Sequence, residues 1–285
     1  MHPLEQLALD VADGRTSLDS GERTAAALAA SGAVTGQDLI CWFKTAEWLA
    51  HREGLWERAL LLGRLLTAAV EALPASTSPY DRVRCRSAWT ELVHLCVIHR
   101  PDGALFASGV RAGHAALAAA RGLSDDLAGQ VLYRLGTLHL DPFSRAKDLW
   151  WEEHRLWLSL CPQAALAGLP EPHEALKTAE GHLREAATLR SGAGLGYTCK
   201  ALAQALQQQE FLALTTTADA ASSTSAATSL GSQGAALDSV ATLDSVTALC
   251  DQALALIPVE DLVARASVEA IRSGAGPAAP GVSPA

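Results

Sequence analysis

Paired amphipathic segments dominate the sequence and limit what the chain can fold into. Apolar residues recur at three- and four-residue steps in 37–52 and again in 55–73. Such spacing places them on one face of an α-helix, and that face has to be buried against another element. Gly54 separates the two segments and Pro74 follows the second, as expected where helices end. The pair therefore predicts an antiparallel helical hairpin.

The same unit recurs along the chain. Segments 82–99 and 103–121 form a second predicted hairpin. A third runs from 125 to His139, breaks at "LDPF" because of Pro142, and resumes over 144–160. The first helices start near 37, 82 and 125, a roughly constant spacing, and hairpins at a fixed period are typical of solenoids. We therefore predict an all-α fold, a right-handed superhelical stack of antiparallel helical hairpins.

Outside these hairpins the pattern is less regular. We predict a partly helical N-terminal segment (1–36), three hairpins (37–160), a further helical repeat (161–214), a low-complexity insertion (215–235), a C-terminal hairpin (236–272) and a disordered tail (273–285). The insertion is inferred from "TTTADAASSTSAATSLGSQG", which has almost no large apolar residues.

Composition and charge argue against several classes of function. The net charge is −9 and no Lys/Arg cluster occurs, which argues against binding to nucleic acids or to an anionic membrane surface. The most apolar stretch is interrupted by charged residues, among them Glu57 and Arg64, so no membrane-spanning helix is expected. The N-terminus does not have the pattern of a secretory signal. The six cysteines are scattered without a C-x-x-C pair, which favours reduced thiols and a cytoplasmic protein.

The predicted hairpins resemble the tetratricopeptide repeat family. In "LYRLGTLHL", Leu132, Leu135-Gly136 and His139 match the large, leucine-small and aromatic positions of that family's first helix. "GLWERAL" matches the opening of its second helix. The run "LREAATLRSGAGLGYTCKALAQAL" is also similar to divergent helical repeats of high-GC bacterial proteins. The spacing departs from the family, whose repeat is about thirty-four residues long.

The resemblance implies a protein-binding scaffold or regulatory module that needs no cofactor. In that family the first helices line a concave surface that holds a peptide or a partner domain. The positions that match this groove are Glu47, Thr90, His94, Tyr133 and Thr137. Lys44, Arg84 and Arg134 lie near the same helices, but the pattern alone does not predict that they form a carboxylate clamp. The acidic balance of the whole chain favours a basic partner peptide.

Catalytic and metal-binding alternatives have weaker support in the sequence. "DLWWEEHRLWLSL" places Trp150, His154 and Trp157 on one helical face, which we interpret as core packing. The second hypothesis is a small helical enzyme or ligand-binding protein with an inter-helix pocket near His139 and His154. No metal site is predicted, because pairs such as His94 and His99 lack helical ligand spacing. A third hypothesis makes the chain a piece of a larger signalling protein. The sequence does not predict an oligomeric state.

Overall fold

The computed structural model describes residues 2–51, 55–98, 101–148, 168–223 and 246–274. Throughout these residues the regular secondary structure is α-helical, with no strand, which confirms the predicted all-α class. The helices are α1 (Pro3–Ala12), α2 (Leu18–Ala30), α3 (Gly36–Ala50), α4 (Trp56–Glu71), α5 (Pro79–Val97), α6 (Gly103–Ala120), α7 (Asp125–Asp148), α8 (Pro172–Leu189), α9 (Gly192–Ser223), α10 (246–256) and α11 (Leu262–Arg272).

Two details of the predicted segmentation differ from the structure. The break predicted at "LDPF" is wrong, because α7 continues through Pro142 to Asp148. A proline inside a helix removes one backbone hydrogen bond and bends the helix, but flanking turns can continue on both sides. The low-complexity insertion predicted at 215–235 begins inside a helix, since α9 extends to Ser223. Alanine-rich sequence of this kind has a high helix propensity, and 224–235 lies outside the described residues.

The described residues form two compact units. The first contains residues up to Leu138 together with Gly168 and Leu169, and the second contains His139–Asp148 and the residues from Pro170 onward. The boundary therefore falls inside α7, so the segment 37–160 predicted as one block of hairpins is divided between the units. The N-terminal segment 1–36, predicted as separate, belongs to the first unit.

In the first unit, consecutive helices pack as neighbours around one core. α3 packs against both α4 and α5, α4 also contacts α5, and α5 packs along α6. α1 and α2 lie against α4, where Glu22 of α2 pairs with Arg64 at 2.7 Å. The largest side chains that are fully buried in this core are Leu4, Leu39, Phe43, Leu65, Leu66, Leu92 and Leu138.

Glycines allow two of these helix pairs to approach closely. A Cβ atom at Gly63 of α4 would lie 2.3 Å from Leu92 and 2.7 Å from the ring of Trp89, both on α5. A Cβ at Gly113 of α6 would lie 2.5 Å from Leu135 of α7. These distances are below van der Waals contact, so a larger residue at either position would force the facing side chains to move. α7 is thereby fixed against α6 as far as Leu138.

A capping box fixes the start of α3. The side chain of Thr35 accepts a hydrogen bond from the Asp38 backbone N–H at 3.2 Å, and Asp38 accepts one from the Thr35 N–H at 2.9 Å. Two backbone donors that the helix itself leaves unpaired are thereby satisfied.

Replacing Thr35 with alanine is expected to lower the free energy of unfolding by about 1 kcal/mol, because the Asp38 N–H loses its partner. Urea unfolding monitored by circular dichroism measures the change. Thr45 in the middle of α3 is exposed and provides the matched control. Its alanine variant is expected to stay within about 0.5 kcal/mol of wild type. Equal losses in the two variants would mean that the cap contributes nothing to stability.

In the second unit, α8 packs along α9, and α9 contacts α11. The hydroxyl of Tyr197 donates to Asp261 at 2.6 Å, which joins the start of α9 to the start of α11. Arg265 donates to the backbone carbonyls of Leu254 and Ile257 and so satisfies acceptors at the end of α10. In both units, the described helices are too short or too polar to cross a lipid bilayer.

Candidate ligand-binding surface

Three helices of the first unit, α3, α5 and α7, contribute side chains to one cavity of about 220 Å³. These are the first helices of the three hairpins that the sequence predicts. The lining residues are Ile40, Lys44, Arg84, Ser87, Ala88, Leu127, Gln130 and Arg134. Within each helix they lie at helical spacing, with Ser87 and Ala88 three and four residues after Arg84, so each helix presents one face to the cavity. The lining combines three cationic side chains, a hydroxyl and an amide with an apolar remainder.

Two of the three cations are held by other side chains. Arg134 of α7 reaches α5, where its Nη1 donates to the Ser87 hydroxyl at 2.7 Å and its Nε lies 3.6 Å from Glu91 Oε2. Lys44 Nζ lies 2.5 Å from Glu47 Oε2, one turn further along α3. Because Ser87 is almost fully buried, its bond fixes the orientation of the Arg134 guanidinium. The donors of the cavity are therefore preorganised.

Arg84 is the cation of the cavity whose charge has the weakest internal compensation. It is half-buried, and its guanidinium lies 5.8 Å from the centre of the Tyr80 ring one turn away on α5. Within the described part of the chain, no carboxylate forms an ion pair with it. A cation–π contact stabilises the side chain but leaves the N–H donors of the guanidinium available. Arg84 is therefore the residue best placed to bind an incoming anion.

Glu91 and His94 extend the charged cluster along α5. Burial by itself raises the pKa of the Glu91 carboxyl, but the neighbouring His94 side chain and the charges of Arg134 and Lys44 outweigh it and lower that pKa to about 2. His94 Nδ1 lies 3.8 Å from Glu91 Oε1, and the His94 side chain is buried. Glu91 therefore carries a negative charge at neutral pH, directly beside a cation that lines the cavity.

The five residues that the family resemblance assigns to the groove have different surroundings in the structure. Glu47 and His94 belong to the charged cluster, although both are largely buried. Thr90 is fully buried and donates to the Gly109 carbonyl on α6 at 3.0 Å, so its hydroxyl lies between helices. Thr137 is buried and donates to the carbonyl of Arg134 in its own helix. Tyr133 is half-buried and does not line the cavity.

Sequence reasoning did not select the two uncharged polar groups of the cavity, Ser87 and Gln130, and it named the three cations only as isolated residues. A signal for the cluster does exist, because each first helix carries a cation next to an apolar residue at helical spacing. These pairs are Ile40 with Lys44, Arg84 with Ala88, and Leu127 with Arg134. Only the packing of α3, α5 and α7 brings the three pairs to the same place.

The other chemical candidates have less support. His139 and His182 have ring centres 5.9 Å apart within the second unit. His154, the other member of the proposed inter-helix pocket, lies outside the described residues, as does most of "DLWWEEHRLWLSL". No three metal-ligating side chains come together in the described ranges. Burial raises the pKa of the Cys85 and Cys96 thiols to about 12, which makes them unreactive.

Comparisons with known protein families, with curated proteins and with solved structures find no match to this chain.

Proposed function

We propose that this chain is a non-enzymatic interaction module that binds an acidic segment of a partner protein on the surface formed by α3, α5 and α7. The hairpins would stack as in a tetratricopeptide-like superhelix, with these first helices on its concave face. The proposal depends above all on one observation: three successive first helices contribute one cation each to a single cavity. A scaffold or regulatory role in the cytoplasm, without a cofactor, would follow from such binding.

Local charge supports an acidic partner segment. The net charge of −9 taken alone favours a basic peptide. Charges beyond about 10 Å are screened at physiological salt, so a bound group responds mainly to the side chains around it. In the cavity these are Lys44, Arg84 and Arg134, with the Ser87 hydroxyl and the Gln130 amide. Guanidinium groups bind carboxylates with defined geometry, which provides specificity as well as attraction.

Preorganisation supports binding as the role of the cavity. The Arg134 guanidinium is already fixed by Ser87, and the cavity walls belong to helices that pack on the core of the first unit. A ligand therefore meets donors that do not have to be ordered on binding, which reduces the entropic cost of association. An extended peptide could continue beyond the cavity past Trp48, an exposed indole one turn from Lys44 on α3.

Removal of the Arg84 charge is expected to abolish the preference for acidic peptides. The assay uses an array of short peptides, acetylated and amidated at their ends, with mixed flanking residues and Glu, Gln or Lys at the centre. Wild type is expected to bind the Glu peptides about tenfold better than the Gln peptides, and Arg84→Ala to bind both equally.

Arg86→Ala is the matched control for this experiment. Arg86 also lies on α5, but it pairs with Glu71 of α4 at 2.9 Å and does not line the cavity. This variant is expected to keep the preference of wild type for Glu peptides. If wild type binds none of the three peptide sets, or if Arg86→Ala loses the preference as completely as Arg84→Ala does, the proposed function is wrong.

A further inference from the structure

Negative charges lie directly beside two of the cations that line the cavity. Lys44 is paired with Glu47, and Arg134 lies beside Glu91, so two of the three cations already have a carboxylate next to them. We propose that Glu47 and Glu91 determine the charge specificity of the site, so that it accepts a singly charged carboxylate and rejects a doubly charged phosphorylated side chain. This inference rests on the proposed function, because it concerns the partner group bound in the same cavity.

Burial restricts the Glu47 side chain to a position beside Lys44. Its side chain is 11% exposed, and Oε1 is buried without a hydrogen-bond partner in the described part of the structure. Oε2 is held by Lys44, whose own side chain is 60% exposed. A bound anion therefore meets a lysine whose charge is already largely compensated.

Glu91 compensates part of the charge of Arg134, as Glu47 does for Lys44. Its side chain is 23% exposed and lies between Arg134 and His94, at 3.6 Å and 3.8 Å respectively. The neighbouring His94 side chain and the cations Arg134 and Lys44 lower the pKa of its carboxyl and keep it ionised at neutral pH. The Nη1 of Arg134 is directed to Ser87, so this guanidinium offers an incoming anion only part of its donor set.

Charge balance then decides which anion fits. Lys44, Arg84 and Arg134 against Glu47 and Glu91 leave one net positive charge when His94 is counted as neutral. A carboxylate neutralises that charge. A phosphorylated side chain carries about −1.5 to −2 at pH 7 and would leave an uncompensated negative charge in a partly desolvated cavity.

The size of the cavity does not distinguish a carboxylate from a phosphate group. The cavity volume of about 220 Å³ corresponds to several water molecules at about 30 Å³ each, so a carboxylate and a phosphate group both fit. Any discrimination between them therefore has to come from charge and from the number of free donors. Removal of one internal carboxylate raises the net charge to two positive and frees the donors of one cation. Such a variant is expected to accept the doubly charged group.

The experiment compares peptides with Glu or phosphoserine at the centre on the same array of end-blocked peptides. Wild type is expected to bind the Glu peptides about tenfold better than the phosphoserine peptides, and Glu91→Gln to abolish this difference by raising phosphoserine binding about tenfold. Glu47→Gln is expected to change binding in the same direction and keeps the test valid should Glu91→Gln fold poorly. A further set of peptides has a free C-terminal carboxylate and no acidic residue at the centre. Binding of this set would identify a chain terminus, and not an acidic side chain, as the source of the bound carboxylate.

Glu71→Gln is the control, because Glu71 is exposed on α4 and pairs with Arg86 away from the cavity. Circular dichroism establishes that each variant is folded. The inference is overturned if wild type prefers phosphoserine, or if neither folded glutamine variant changes the ratio. The proposed function survives that result as long as Arg84→Ala still removes the preference for Glu over Gln. If no acidic peptide binds, both the proposed function and this inference are overturned.

Discussion

Replacing Phe43 with alanine is expected to lower the free energy of unfolding by about 3–5 kcal/mol. The Phe43 ring is 1% exposed and lies on the face of α3 that packs against α4 and α5. Truncation removes the transfer free energy of the ring and leaves a cavity that helices fixed by close contacts, such as that at Gly63, cannot close. Urea unfolding followed by circular dichroism, with wild type measured in parallel, gives the difference.

Trp48 on the same helix provides the control. Its indole is larger than the Phe43 ring but is 52% exposed, because it lies on the opposite side of the helix from the core. Trp48→Ala is therefore expected to lower stability by less than Phe43→Ala does, about 1–2 kcal/mol. A loss for Trp48→Ala as large as that for Phe43→Ala would show that burial does not determine the contribution of these aromatic residues.

The helices of the first unit could be predicted because their signals are local. The apolar steps through Leu39, Phe43 and Ala46 and the stops at Gly54 and Pro74 are readable within one segment. The structure has α3 and α4 at these positions, with the same three side chains buried. The continuation of α7 through Pro142 could not be predicted from such local signals. Whether a proline bends or ends a helix depends on tertiary packing, which periodicity does not record.

The candidate site was predictable only in part, because it depends on how three helices are rotated about their axes. One residue along an α-helix changes the direction of the side chain by about 100°. Matching the family pattern assigned Thr90 to the groove, whereas the cavity is lined by Ser87, three positions earlier, and Thr90 points into the contact with α6. An assignment by motif has no means of detecting such a rotation, since both residues are small and hydroxylated.

The charged cluster also requires contacts that are distant in sequence. Arg134 and Ser87 are separated by 47 residues and meet through a hydrogen bond of 2.7 Å. Net charge is no guide to such a site, because an acidic chain can still gather its few cations in one place. Lys44, Arg84 and Arg134 were visible individually in the sequence, but their common cavity depends on the packing of α3, α5 and α7.

Protonation of Glu91 is expected to destabilise the first unit at acidic pH. Interactions with His94, Arg134 and Lys44 outweigh the effect of burial and lower the pKa of this carboxyl from 4.5 to about 2 in the folded chain. A lowered folded-state pKa adds stability above the unfolded pKa, and that contribution is lost as the pH falls from about 5 to about 2. With about 1.4 kcal/mol per pKa unit, and allowing for partial exposure of the side chain, the contribution is about 2–3 kcal/mol.

The stability difference between wild type and Glu91→Gln isolates this contribution, because the other carboxylates titrate in both proteins. Urea unfolding at a series of pH values is expected to show a gap of about 2–3 kcal/mol near pH 7 that shrinks steadily below about pH 5. Glu71→Gln, which removes an exposed partner of Arg86, is expected to differ from wild type by less than about 1 kcal/mol at every pH. A gap for Glu91→Gln that stays constant down to about pH 2 would mean that the Glu91 carboxylate is not stabilised by the cations around it.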